Sequence, residues 1–215
     1  MTAAAGLVVA LGAGLVACGS EDTAGKEDGA TAYVGADEVC GGLFEGALAK
    51  KLETVTGTTE FFDKGDGTDK VVEALTRGYE SGHRSAAGGD LCEFSRKGGR
   101  PRDAADITFS MYAPQDLEDP STAPGTQAYT MGKRSEARGA GASIYLACVS
   151  PELKGSSTDP LRVYGSFTNK SDAADTPEIR AANLEILHAG ALSVVKELGC
   201  EGAAGLPETP VLTPK

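Results

Sequence analysis

The chain has 215 residues, with 31 acidic against 20 basic side chains and a formal net charge of −11. That acidity argues against nucleic acid or an anionic bilayer as a direct partner, since both need a basic face. With six Tyr, six Phe and no Trp, the core has to be built mainly from Leu, Val, Ala and Ile.

The chain opens on MTAAAGLVVALGAGLVAC, in which Leu7 to Ala17 form a short apolar run. The run is too short and too rich in Gly and Ala for a membrane span, which needs about 20 apolar residues. It has the length of a signal-peptide core. Leu15-Val16-Ala17-Cys18 ends it and the polar Gly19-Ser20-Glu21-Asp22 follows. This segment resembles a bacterial lipoprotein signal peptide, whose lipobox sets a branched residue at −3, a small one at −1 and Cys at +1. The resemblance implies residues 1–17 as signal peptide, cleavage before Cys18, and a diacylglycerol thioether on Cys18 with further acylation of the new N-terminus. Two or more acyl chains anchor stably, at about 0.8 kcal/mol per buried methylene. No Lys or Arg precedes the apolar run, and a start site further upstream would supply the missing basic region. Gly12-Ala13-Gly14-Leu15-Val16-Ala17 also fits a G-x-G-x-x-A dinucleotide fingerprint. That motif needs a helix directly after it, and GSEDTAGKEDGAT has no apolar periodicity to make one.

Residues 18–32 read as a flexible acidic tether, too polar to bury and spanning roughly 20 Å as a coil. A single domain is expected over residues 33–207. Ala36 to Val55 predicts a helix, with Val39, Leu43, Phe44, Ala47, Leu48, Leu52 and Val55 at three- and four-residue spacings and Gly57 as its stop. Thr58 to Asp69 reads as a loop. An EF-hand is excluded there, because Phe62 and Lys64 fall where the first carboxylate ligands belong. A polar turn with Asp69 capping the helix Lys70–Tyr79 is the expectation. Period-two patterns then predict strands at Leu91–Arg96, Ile107–Tyr112, Ala128–Met131, Ser143–Val149 and Leu161–Thr168. The connections hold Gly, Pro, Asp and Ser, with three prolines between Pro114 and Gly125. Pro177 to Leu198 predicts the last helix, capped by Thr176 and ended by Gly199. Residues 208–215 are expected to be a disordered tail. The fold class is α+β: an antiparallel meander of about five strands, with two N-terminal helices and one C-terminal helix packed on it.

Cys40, Cys92, Cys148 and Cys200 are dispersed, with no C-x-x-C and no Cys/His cluster, so no zinc site is expected. In an exported chain four such cysteines predict two disulfides. Of the three possible connectivities, Cys40–Cys200 and Cys92–Cys148 is the expectation, with the first pair on helices and the second on strands. His83 in a polar loop and His188 on the last helix have no sequence-local partner and read as solvated or structural. Ser193-Val194-Val195-Lys196 matches S-x-x-K, but the companion S-D-N and K-T-G motifs are absent. No G-x-S-x-G or P-loop occurs, Asn169-Lys170-Ser171 is a sequon without expected use, and no cofactor or metal is expected.

Further stretches carry a second resemblance: Val39-Cys40-Gly41, Leu91-Cys92-Glu93-Phe94, Ala142 to Cys148, Glu197-Leu198-Gly199-Cys200 and Gly205-Leu206-Pro207. Together with the lipobox they resemble small lipoproteins of high-GC Gram-positive bacteria, of uncharacterised function. The resemblance implies an α+β domain on the extracytoplasmic face of the cell membrane and assigns no catalytic residue. The functional expectation is a non-enzymatic domain held to the membrane by lipid on Cys18, binding a small ligand, an envelope component or a surface protein. The alternative is an envelope hydrolase whose site forms only in three dimensions. A transporter-linked solute-binding protein ranks third, since such proteins usually have two lobes.

Overall fold

The computed structural model describes residues 33–83, 85, 87–99, 105–118, 124–171 and 173–215. The signal segment, Cys18 and the tether, residues 1–32, lie outside them. The sheet is antiparallel, as expected, but has seven strands rather than about five. These are β1 (Phe61–Lys64), β2 (Gly88–Arg96), β3 (Ala105–Met111), β4 (Gln127–Tyr129), β5 (Arg134–Arg138), β6 (Gly141–Cys148) and β7 (Leu161–Asn169). β1, within the segment read as a loop, and β5 join the five period-two segments. The strand order is β1-β2-β3-β7-β6-β5-β4. The sheet is thus two meanders, β1–β3 and β4–β7, zipped along the β3–β7 pair rather than one continuous meander.

Four helical segments accompany it: α1 (Val39–Gly42), α2 (Ala47–Thr56), α3 (Gly67–Glu80) and α4 (Pro177–Glu197). The expected continuous helix over Ala36–Val55 is broken in two. Cys40, Gly41, Gly42 and Gly46 all take positive φ, which turns the chain between α1 and α2 and buries Phe44. Asp69 lies within the first turn of α3 instead of capping it, and there favours the helix dipole. At α4 the expected cap is present, with Thr176 Oγ1 accepting the Ile179 N–H at 3.3 Å.

One face of the sheet carries the core. Ile107 and Phe109 of β3, Ile144 and Leu146 of β6, and Leu161, Val163 and Phe167 of β7 are buried beneath α4 and its neighbours. From α4 come Leu184, Leu187, Ala191, Val194 and Val195. Alternate residues of the same strands point to the other face, which no described helix covers.

The expected disulfide pairing is corrected. The bridges are Cys40–Cys92 and Cys148–Cys200, with Cα–Cα distances of 5.4 and 5.1 Å. Each joins a helical turn to a strand, whereas the expectation paired helix with helix and strand with strand. Asp63 Oδ2 of β1 accepts the Cys40 N–H at 2.9 Å, which sets Cys40 over the neighbouring β2. At the other end, Glu201 N–H bonds the Val149 carbonyl and brings Cys200 back to the end of β6.

The C-terminal residues also depart from expectation. Pro214 bridges Tyr129, the Lys215 N–H donates to the Ala128 carbonyl at 2.9 Å, and the Val211 N–H points at Met131 Sδ. The segment therefore lies along the outer edge of β4, where prolines are tolerated and an open strand edge is covered.

Candidate ligand-binding site on the uncovered sheet face

Cross-strand register lines up three rows of side chains on the uncovered face. The first is Arg134, Tyr145, Tyr164 and Ser110; the second Glu136, Ser143, Ser166 and Thr108; the third Arg138, Gly141, Thr168 and Asp106. The connection leaving β3 turns at a short 3₁₀ segment, Pro114–Leu117, and its described flanks border this face. Asp116 and Thr126 of that connection, with the β5–β7 rows, enclose an open cavity of about 410 Å³.

The tyrosines form one stack. Tyr112 meets Tyr145 edge to face at 5.1 Å, and Tyr145 lies 4.8 Å from Tyr164. Arg134 caps the stack with its guanidinium 4.2 Å above the Tyr145 ring, and its Nε is 3.5 Å from Glu136 Oε1. It also donates from Nη1 to the Leu117 carbonyl at 3.3 Å, tying the connection to β5. Burial raises the phenol pKa values of Tyr112 and Tyr164 above the ordinary range, and the neighbouring arginines only partly oppose this. Tyr112 and Tyr164 are therefore neutral at physiological pH.

Asp116 Oδ2 accepts the Ala113 N–H at 2.8 Å, leaving its other oxygen for the cavity. Arg138 stands at the opposite end. Its guanidinium has no hydrogen-bonded or ionic partner among the described residues. Its charge nonetheless reaches Tyr164.

The residues singled out from sequence lie elsewhere. His83 is exposed in the turn after α3. His188 is buried in α4 with Nε2 2.9 Å from the Pro207 carbonyl, which can only accept, so Nε2 carries the proton. Ser193 pairs with Thr68 at 2.9 Å while Lys196 reaches Glu208, so the S-x-x-K pair shares no site. Asn169 is buried and donates to the Val55 carbonyl, a structural role that leaves no room for a glycan. Asp63 serves the α1 turn, and among the described residues no group of three His, Cys, Asp or Glu could hold a metal ion.

Burial also sets a pH dependence at His188. Desolvation lowers its pKa, opposed by the Pro207 carbonyl and Glu208 and reinforced by Lys196. A base with a lowered folded pKa contributes stability in full above its unfolded value near 6.5 and loses it as pH falls toward the native value. Thermal stability is thus expected to fall as pH drops below about 6.5. His188→Leu is expected to flatten that slope and cost about 1–3 kcal/mol at neutral pH, by orphaning the Pro207 carbonyl. An unchanged slope in the variant would assign it to other groups.

No described helix is long and apolar enough to cross a membrane. Comparison with protein-family models, with curated proteins and with solved structures finds no match to this chain.

Proposed function

We propose that this is a lipid-anchored extracytoplasmic binding domain, whose ligand occupies the cavity on the uncovered sheet face. The observation that carries the reading is the cavity itself: about 410 Å³, framed by arginines, tyrosines and hydroxyls. A cavity of this volume falls within the range of small-molecule sites. The hydrolase alternative called for a histidine beside carboxylates in a cleft, and neither His83 nor His188 lines this cavity.

The cavity is tested by incubating the full mature chain with a small-molecule extract of the cell envelope, then releasing and weighing whatever is retained. Wild type is expected to keep a defined compound that Ser143→Trp, which fills the middle row, does not keep. Equal retention by both chains would place binding elsewhere, and no retention by either would end the binding reading.

The anchor, inferred from the lipobox, is tested by intact mass spectrometry of the membrane-extracted protein. The expected mass begins at Cys18, adds diacylglycerol, and lacks two hydrogens for each of the two disulfides. Cys18→Ala is expected to remain unprocessed and unlipidated. A wild-type chain with an intact leader and no lipid would overturn the compartment.

A further inference from the structure

The binding reading can be carried further, to the chemical class of the ligand. A guanidinium is donor-only, charged at every physiological pH, and suited to a carboxylate or a phosphate. Other arginines have ionic partners within the protein: Arg77 with Glu73, Arg134 with Glu136, Arg162 with Asp159 and Arg180 with Asp175. Arg138 lines the cavity with none among the described residues, on a chain that carries eleven more acidic than basic side chains. At this end the cavity's charged group is a donor.

The opposite end has the reverse requirement. Asp116 and, towards the middle row, Glu136 are both acceptors, and the Arg134 guanidinium beside them is already engaged with Glu136 and the Leu117 carbonyl. A ligand there has to present hydrogen-bond donors. Between the two ends lie Ser143 and Ser166, with Thr168 beside the Arg138 end, hydroxyls that both donate and accept, near the rings of Tyr145 and Tyr164. A body studded with hydroxyls satisfies this middle row where an apolar one would strand it.

We infer that the cavity binds a small, hydroxyl-rich acid of the sugar-acid or sugar-phosphate class, with its anionic group on Arg138 and its hydroxyls on Ser143, Ser166, Thr168 and the two carboxylates. This rests on the cavity being the binding site. A carboxylate and a phosphate ester share the chemistry that Arg138 recognises, and the experiment separates them.

D-glucuronate, D-glucose 6-phosphate and D-glucose are titrated calorimetrically into the full mature chain and into Arg138→Gln and Arg138→Lys. At least one of the two acids is expected to bind about tenfold or more tightly than glucose, and to weaken as salt rises. Whichever acid binds more tightly identifies the anionic group. Arg138→Gln is expected to lose about tenfold or more of that affinity and Arg138→Lys to recover part of it. Arg138 is exposed, so folding of the variants is confirmed by an unchanged melting temperature. Glucose binding as tightly as the acids, no binding by any of the three, or full affinity in Arg138→Gln would each overturn the assignment. If the envelope-extract experiment still retains a compound that Ser143→Trp loses, the cavity remains the site and only the ligand class has failed. If that experiment fails as well, the binding reading itself falls.

Discussion

Reduction of both disulfides is expected to unfold the domain or bring it to the edge of unfolding at room temperature. Cys40–Cys92 and Cys148–Cys200 each close a loop with a sequence separation of 52. In the chain-entropy model a loop of that size stabilises by about 4 kcal/mol. Two such bridges together approach the whole stability of a typical domain, about 5–15 kcal/mol. The loops do not overlap. The first holds α2, β1 and α3 against β2, and the second holds α4 against the end of β6. Their contributions should therefore be close to additive. The Cys40→Ala/Cys92→Ala and Cys148→Ala/Cys200→Ala variants are each expected to lose about 4 kcal/mol in urea unfolding, and the fully reduced chain about twice that. Equal losses would support entropy as the common cause. A reduced chain that melts within a few degrees of the oxidised one would show that the core alone holds the fold. The dependence suits a chain exported to an oxidising compartment, as proposed from the lipobox, and would be a liability in a reducing one.

What was legible in the sequence follows from how far each signal is local. Ile107 to Met111 alternates strictly, and the observed burial of β3 alternates with it. Thr176 before Pro177 and Glu178 announced α4 through chemistry confined to one turn. By contrast, β1 is four residues, Phe61-Phe62-Asp63-Lys64, too short for a period to show. β5 reads Arg134-Ser135-Glu136-Ala137-Arg138, a polar string with a single apolar residue. It is a strand because β4 and β6 flank it on both sides, which local propensity cannot report.

The disulfide pairing was illegible for a related reason. Connectivity depends on which helix end returns to which strand, a property of topology alone. The candidate site is the same kind of object. Arg138, Ser143, Tyr145, Tyr164, Ser166 and Thr168 come from three strands and meet only through register. A partial signal was present: Tyr145 and Tyr164 occupy the outward positions of two alternating strands. Large aromatics on a nominally solvent-facing side are a reason to look for something that covers them.

The packing of α4 on the sheet depends on two glycines, and it yields a second large effect. Phe109 of β3 lies opposite Gly165 of β7 and is almost wholly buried. A Cβ on Gly165 would fall 2.6 Å from Phe109 Cε1 and 3.1 Å from a methyl of Ile144. Above the ring, Gly190 sits inside α4, where glycine is unfavourable by roughly 1 kcal/mol relative to alanine. Its absent Cβ would come within 3.0 Å of Leu91 and 3.6 Å of Phe109. The ring is thus sandwiched between two positions without side chains, which lets α4 cross close to β3 and β7. Phe109→Ala is expected to cost about 3–5 kcal/mol by leaving that space empty. Gly165→Ala is expected to cost about 1–3 kcal/mol, although alanine in an unconstrained strand would do no harm. The sign identifies the cause. If crowding against Phe109 is what glycine relieves, then Gly165→Ala in a Phe109→Leu background should cost markedly less than in wild type. Such a double-mutant cycle, read by urea unfolding, would show a coupling between the two sites of about 1 kcal/mol or more. Strict additivity would instead mean that the sheet yields to the added methyl, and that Gly165 is not what holds the ring in place.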